Sequence, residues 1–455
     1  MAWIIPLENT DSAFALGTTD SLYVGEGIYC SGSARGTGSN QKIVLDGQFA
    51  GAGINPFSLG GLGSTNNLVH IGATGKLVNL GDDAGNLAAI IVAGTSGRVV
   101  NEGSINAIIN DSVGVGVGGP DASSIFSVTN SGIIRAGSIG VASFGVDGTF
   151  TLINTGTIIG GEGSTPAGGD RTGELKWGAF TSFGETADAI IEPNVVETIY
   201  NSGRMVGDIN LGGGADYYEG RNGTIEGDVF GGAGQDKLFS GVGNDRLFGG
   251  EGNDQLMGGA GGDLLDGGAG TDTVLYLSAT AGVSASLSNA ATNTGEAAGD
   301  MYVSIENLTG SSFNDILVGN SAANILSGGA GNDTLRGAAG NDILAGGAGR
   351  DIFVFAAPLN AATNVDRIND FSVADDTIQL ENAFFTALGT TGVLAVGALQ
   401  INNSGLASEA DDRIIYEADT GNLFYDADGV GGVAGILFGK MTADLPLTNL
   451  DFVVI

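Results

Sequence analysis

Residues 231–275 read GGAGQDKLF-SGVGNDRLF-GGEGNDQLM-GGAGGDLLD-GGAGTDTVL, one nine-residue pattern in five consecutive copies. Gly stands at the second and fourth places of every copy. Asp stands at the sixth (Asp236, Asp245, Asp254, Asp263, Asp272), and the eighth is apolar (Leu238, Leu247, Leu256, Leu265, Val274). A flexible Gly-rich linker would fix neither an acid nor a leucine every ninth residue. The period is that of a β-helix repeat.

The spacing has a mechanical reading. Six Gly-rich residues make a tight turn with inward carbonyls, because Gly tolerates the φ values involved. The next three residues form a short strand whose eighth-place side chain faces a core. Two nonapeptides then complete an 18-residue coil, and each turn stacks on the turn two repeats away. Turn carbonyls and Asp carboxylates of stacked turns can supply the six to eight oxygens that Ca²⁺ takes.

A second block, 310–354, repeats the pattern as Gly310–Val318, Gly319–Ser327, Gly328–Arg336, Gly337–Ala345 and Gly346–Val354. Its first two members lack Gly at places two and four, and Asn324 replaces Asp. Those coils are expected to be structural, with weak metal binding or none. The candidate metal residues are Asp216, Gly231, Gly234, Asp236, Gly241, Asp245, Gly249, Asp254, Gly258, Asp263, Gly267 and Asp272 in and before the first block. In the second they are Asp315, Gly328, Asp333, Asp342, Gly346 and Asp351. One site per pair of well-formed turns gives on the order of six to eight ions.

Charge agrees with this reading. The 455 residues include 83 Gly, and 51 acidic against 16 basic residues give a formal charge of −35. Nucleic acid and anionic membrane surfaces are therefore poor partners. Close carboxylates repel until a cation neutralises them, so a fold that needs bound metal is expected. The single cysteine, Cys30, reads as a small buried hydrophobe rather than a reactive thiol. The stretch Met1–Pro6 has neither a basic nor a long apolar region, and no uninterrupted apolar run of membrane-spanning length occurs.

Residues 1–229 carry a looser rhythm of β-branched runs and Asn-x-Gly or Thr-x-Gly turns: Asn101, Asn130, Asn154, Asn201 and Asn222 each open one. This predicts a right-handed parallel β-helix with an internal or edge ladder of Asn, the long 154–201 gap counting as about two coils. The alternative is an antiparallel sandwich. Residues 160–197 break the rhythm and read as an insertion whose Trp177, Phe180 and Phe183 either stack on a sugar or, the preferred reading, pack over the side of the helix. Gly212–Asp216 reads as a degenerate metal turn joining the two repeat types. Farther on, Ile414–Tyr416 and Leu423–Tyr425 read as a hairpin about Gly421, and Asp426–Gly429 as a plain turn, since Leu437 stands where an EF-hand loop needs Glu. The ending Asp451–Ile455 is apolar and reads as exposed unless used. The division expected is 1–205 parallel β-helix, 206–355 β-roll and 356–455 C-terminal domain: an all-β fold throughout.

These residues resemble the RTX (repeats-in-toxin) family of calcium-dependent proteins that type I secretion exports from Gram-negative bacteria. Ser304–Ser311 is similar to the lead-in of a second β-roll, and Asp366–Phe371 with Asp375–Leu380 to the serralysin-type C-terminal domain. The Asp-Phe-Val-Val-Ile ending looks like an uncleaved export signal. The resemblance implies a chain that stays unfolded in the cytoplasm, passes an ABC exporter and folds on calcium outside the cell.

Most cargoes of such exporters are excluded by residue type. A zincin needs His-Glu-x-x-His, but His70 is the only histidine, and no Gly-x-Ser-x-Gly elbow occurs. His70 lies in the strand-like Leu68–Ile71, which favours a solvent or core role. A polysaccharide lyase or epimerase with an Arg or Lys base survives as one alternative, though Arg135, Arg171, Lys176 and Arg204 are scattered. A glycan-binding adhesin is another. The favoured reading is a structural protein of the cell exterior (surface-layer, filament or matrix/adhesion subunit). It would associate with itself through solenoid ends or the C-terminal domain, with cell-surface polysaccharide as a further partner. Because metal affinity becomes folding free energy when no site exists in the unfolded chain, circular dichroism in excess chelator should show little β signal and gain it on adding Ca²⁺. An unchanged spectrum, after time allowed for slow release, would contradict that linkage.

Overall fold

The computed structural model describes residues 3–6, 8, 10, 13–18, 20–51, 57–59, 64–79, 88–107, 113–119, 123–137, 139–145, 147–160, 178–183 and 194–455. Among these the regular structure is strand, with four short 3₁₀ turns and no α-helix. Contacts divide the chain into two compact units, 1–258 with 266–270, and 259–265 with 271–455.

The first unit is a parallel β-helix. Its coils lay strands on three stacks, each stack joined in parallel register, which excludes the antiparallel sandwich. One stack runs through Asn67–Ile71, Ser96–Asn101, Ile125–Asn130, Asp147–Asn154, Asn194–Asn201, Tyr217–Glu219 and Lys237–Phe239. Alternation along each strand turns one column inward: Val69, Val99, Val128, Leu152, Ile199, Tyr218, Leu238 and Leu256 lie in register and are all fully buried. Each such burial is worth about 1.5–3 kcal/mol. Cys30 is buried as well, and burial pushes its thiol pKa up, consistent with a small hydrophobe.

Two residues farther along the same strands the column is polar. Asn101, Asn130, Asn154 and Asn201 are buried, and each Nδ2 donates to the next Oδ1 at 2.7, 2.8 and 2.9 Å. The ladder shows that Asn154 and Asn201, 47 residues apart, are neighbouring rungs. The gap is therefore one coil with a long excursion, not two coils. Nor is all of 160–197 inserted loop: Gly178–Phe183 pairs with Ile139–Gly145, and Asn194–Asn201 pairs with Asp147–Asn154. The side chains of Phe180 and Phe183, and all of Arg171, Lys176 and Trp177, lie outside the described residues. Asn222 is exposed and takes no place in the ladder.

A second stack ends at Thr224–Glu226, which pairs only with Arg204–Val206. Beyond it a coil has two stacks instead of three. The rung spacing falls from 20 residues between Asp216 and Asp236 to 18 between Asp236 and Asp254. The change of repeat type in the sequence is thus the loss of one side of the coil.

The second unit holds the later roll and the C-terminal part. Asn307–Thr309, Ile325–Ala330, Ile343–Ala348 and Asp366–Ile368 form one parallel stack. Ser284–Ser286, Ile316–Val318, Thr334–Arg336, Ile352–Phe355 and Thr377–Leu380 form the other. Leu317, Leu326, Leu335, Leu344 and Phe353, the eighth-place residues, fill the space between, all fully buried. Ile414–Glu417 and Asn422–Tyr425 make the expected antiparallel hairpin, with Gly421 at φ 77°. Asp426 Oδ1 accepts the N–H groups of Asp428 and Gly429 at 3.1 and 2.8 Å, a closed turn. The chain's last strand, Phe452–Val454, corrects one expectation: it lies in the sheet, parallel to Thr377–Leu380 and antiparallel to Gly392–Val393. Phe452 and Val454 are buried there, so the apolar ending is not an exposed patch.

Candidate metal sites

The place-two and place-four glycines hold a backbone that other residues avoid. Gly232 and Gly234 have φ of 106° and 144°, and Gly329 and Gly331 have 110° and 134°. Ala338 keeps the same hand at φ 77° and bears the strain of a Cβ there.

With the turn so shaped, each sixth-place carboxylate divides its two oxygens. Oδ1 accepts the N–H of the sixth-place residue one coil earlier. Asp216 donates to Asp236 and Asp236 to Asp254, both at 2.8 Å. Asp315 donates to Asp333 at 2.8 Å and Asp333 to Asp351 at 2.9 Å. Oδ2 turns inward instead. A Cβ built on Gly328 would lie 2.3 Å from Asp333 Oδ2 and 2.6 Å from the Gly346 carbonyl oxygen of the next coil. The same convergence recurs at Gly231 with Asp236 Oδ2 and Gly249 O (2.4 and 2.6 Å), and at Gly249 with Asp254 Oδ2 and Gly267 O (2.2 and 2.6 Å). First-place glycine therefore leaves room where oxygens of two coils meet.

The buried Oδ2 atoms of Asp216, Asp333, Asp342 and Asp351 accept no hydrogen bond. A buried anionic oxygen left without a donor costs several kcal/mol, and a hard cation removes that cost. Among the described residues no group of three or more His, Cys, Asp or Glu side chains converges on a point. A site built from one carboxylate and backbone carbonyls, such as those of Gly249, Gly267 and Gly346, would not form such a cluster. An all-oxygen donor set with carbonyls fits Ca²⁺.

Where the repeat is incomplete the second oxygen is already satisfied. Asp315 Oδ2 accepts Ser311 N–H at 2.5 Å and its hydroxyl at 3.0 Å. Asn324 Oδ1 accepts Asn320 N–H at 2.8 Å. In the first block, Ser240 replaces first-place Gly and donates its hydroxyl to Asp245 Oδ2 at 2.5 Å. Neighbouring Gly241 lacks the positive φ of its counterparts. The chain thus has two kinds of turn, one open to a cation and one closed by its own serine or asparagine.

The rungs also run beyond the nonapeptides. Glu197 N–H donates to Asp216 Oδ1 at 2.8 Å. Asp263 donates to Asp300 Oδ1 at 3.0 Å, and Asp272 to Glu306 Oε2 at 2.8 Å. Asp342 donates to Asp366 at 3.2 Å and Asp351 to Asp376 at 2.9 Å. The sequence reading missed these acids because their turns lack glycine at the second and fourth places. Its usable signal was an acid two places before a buried apolar residue, as in Glu306–Leu308, Asp366–Ile368 and Asp376–Ile378. Asp300 lies in a buried cluster: Tyr276 donates its hydroxyl to Asp300 Oδ2 at 2.8 Å and also meets the Tyr302 hydroxyl. His70 stands half-buried, 3.7 Å from Glu102.

Burial pushes the Asp333 carboxyl up to about 6, with the charges of Asp315 and Asp351 adding to it. Burial likewise raises Asp216, Asp342 and Asp351.

The RTX calcium-binding nonapeptide repeat family matches the chain in four copies, at residues 228–256, 248–276, 305–335 and 318–353. No curated protein matches it.

Two outcomes are expected. Asp333→Asn should lower the number of calcium ions bound in a calorimetric titration, whereas Asp315→Asn should lower thermal stability with the stoichiometry kept. Equal losses of bound ions would show that the open and closed turns do not differ. The pH response should have opposite signs with and without metal. A carboxyl raised in the fold favours the protonated folded form, so its contribution is full below about 3.8 and is lost as pH rises through about 6. In excess chelator, β signal should therefore grow as pH falls from about 7 to about 5, while calcium affinity weakens over the same range because ligation needs the carboxylate.

Proposed function

From a chain that carries RTX calcium-binding repeats, we propose a secreted structural protein that folds on calcium outside the cell and there associates with further copies of itself. RTX repeats bind Ca²⁺ and are typical of secreted proteins. No helix of the described residues is long and apolar enough to cross a membrane. Export by a type I ABC transporter, with the serralysin-like C-terminal domain as its signal, belongs to the same proposal. The ion ligands proposed are Asp216, Asp236, Asp254, Asp263, Asp272, Asp333, Asp342 and Asp351 with the carbonyls of their turns, while Asp245 and Asp315 serve as internally bonded rungs.

The observation that carries self-association is the edge of the first coil. Among the described residues Trp3–Ile4 and Phe14–Leu16 each pair on one flank only, and Tyr29–Gly32 has on its outer flank a single bridge, from Cys30 to Thr10. A strand edge of that kind presents backbone donors and acceptors to any second edge in register. The C-terminal apolar strand, being buried, adds nothing to this reading.

A second reading, a glycan-binding adhesin, is favoured by one surface. Tyr200, Tyr217 and Phe239 meet edge to face at 5.8 and 5.7 Å on the outside of the coil, and Arg221 lies 5.7 Å above Phe239.

At a formal charge of −35, free copies repel one another, and bound calcium lowers that barrier while building the turns; sodium only screens. Light scattering at matched ionic strength should therefore show association with millimolar Ca²⁺ and none with NaCl plus chelator. A protein that stays monomeric in calcium at high concentration leaves the adhesin reading in the lead.

A further inference from the structure

The closed turns leave one open rung without a partner inside the repeats. A cation at such a turn is held between two turns stacked on the same side of the roll. For the turn 337–342, the stacked neighbour before it is 319–324, and that one is shut: Asn324 Oδ1 accepts Asn320 N–H at 2.8 Å, and its Nδ2 donates to Glu306 O at 2.7 Å. Yet Asp342 is buried, and its Oδ2 accepts no hydrogen bond. A Cβ on Gly337 would lie 2.2 Å from that oxygen, so first-place glycine leaves room beside the carboxylate here as in the complete turns, although no carbonyl of the next coil comes as close as it does there.

The neighbour after it lies outside the residues matched as repeats. Residues 361–369 contain no glycine, but Asp366 stands at their sixth place and the buried Ile368 at their eighth. Asp366 is buried and receives Asp342 N–H at 3.2 Å. Among the described residues neither carboxylate has Lys or Arg within ion-pairing distance. The opposite side of the roll ends differently. There Asp376 accepts Asp351 N–H at 2.9 Å and Ser372 N–H at 2.7 Å, one through each oxygen, so its carboxylate is used up as a cap.

We propose that Asp342 and Asp366, with backbone carbonyl oxygens of their two turns, form a calcium site in which one carboxylate comes from the last repeat on that side and the other from the C-terminal segment. The site rests on the calcium reading of the repeats and adds a position that the repeat pattern does not contain. Two carboxylates leave about four to six oxygens to carbonyls and water, the usual share in an oxygen-rich Ca²⁺ site. Its consequence is mechanical. Asp366 begins the strand Asp366–Ile368, which pairs with Ile343–Ala348 of the roll and, at Asp366 and Arg367, with Gly439 and Lys440 of Ile436–Lys440. An ion at Asp366 therefore fastens the C-terminal strands to the last coil.

The test uses the full chain with Ca²⁺ itself as probe, read by calorimetric stoichiometry and by amide hydrogen exchange. Asp366→Asn should bind one ion fewer than the wild type. Asp342→Asn should lose the same ion, and the double variant no more than either single one. In the wild type, amides of 436–440 should gain protection on calcium addition, and in Asp366→Asn that gain should fall at least tenfold while 328–335 keeps its own. Unchanged stoichiometry in Asp366→Asn overturns the site. Should that variant fail to fold, the wild-type exchange still decides: amides of 436–440 that ignore calcium while 328–335 responds overturn it equally. A wild type that binds no calcium at all refutes the repeat reading instead.

Discussion

An aspartate carboxylate has two oxygens, and in this chain they are given to different masters. One accepts a backbone N–H from the coil before, which fixes the register of stacked turns. The other turns inward, and at Asp333, Asp342 and Asp351 it accepts no hydrogen bond. The first bond builds the stack and the second oxygen is left for a cation. A neutral side chain at the sixth place can hold the stack by other bonds, as Asn324 does: its Nδ2 donates to the Glu306 carbonyl of the coil before at 2.7 Å, and its N–H reaches Asp342 Oδ1 at 2.8 Å. Metal dependence is thus a local property of each turn, set by whether the first- and second-place residues donate hydrogen bonds.

Set against this is the apolar column. Val, Ile and Leu pack inward in both units without regard to the turn chemistry, and the Asn ladder of the first unit passes a hydrogen bond from each buried amide to the next. The β-helix coils before residue 194 therefore close with amide, backbone and apolar contacts. From Glu197 onward acids occupy the rungs. With 51 acidic residues in the chain, placing these groups in rows costs electrostatic energy that only counter-charge removes. The rungs thus change along the chain from neutral amides to acids, whose charge a cation can neutralise.

The sequence made most of this legible because the constraint is periodic. Gly at two fixed places, Asp at the sixth and an apolar eighth residue identify turn, rung and core at once. The β-helix, the strand column and the Asn ladder followed from weaker spacing, and the antiparallel alternative fell to the parallel register. What spacing could not give was the pairing of distant rungs. Asn154 and Asn201 are neighbours although 47 residues separate them, and Asp263 reaches Asp300 across 37. Nor did the pattern reveal that a serine at the first place shuts a turn, because Ser240 leaves the second- and fourth-place glycines of its repeat in position. Asp366 and Asp376 were visible as acids but not as rungs, since their turns keep the acid and the apolar residue and discard the rest. The buried strand Phe452–Val454 was misjudged for a related reason: apolarity gives no information on whether a partner strand is waiting.

The long step between Asn154 and Asn201 also says something about how such a chain can grow. The preceding step in the same ladder spans 24 residues, so the excursion roughly doubles the segment between adjacent rungs. Closing a segment twice as long costs only about 0.6 kcal/mol in chain entropy, less than a typical buried hydrogen bond of about 1 kcal/mol. The amide rung on the far side is made in the same geometry at 2.9 Å. A corner of this solenoid can therefore accept a passenger sequence, natural or grafted, at almost no thermodynamic penalty to the coils on either side. Evolution can exchange cargo at that corner without renegotiating the scaffold.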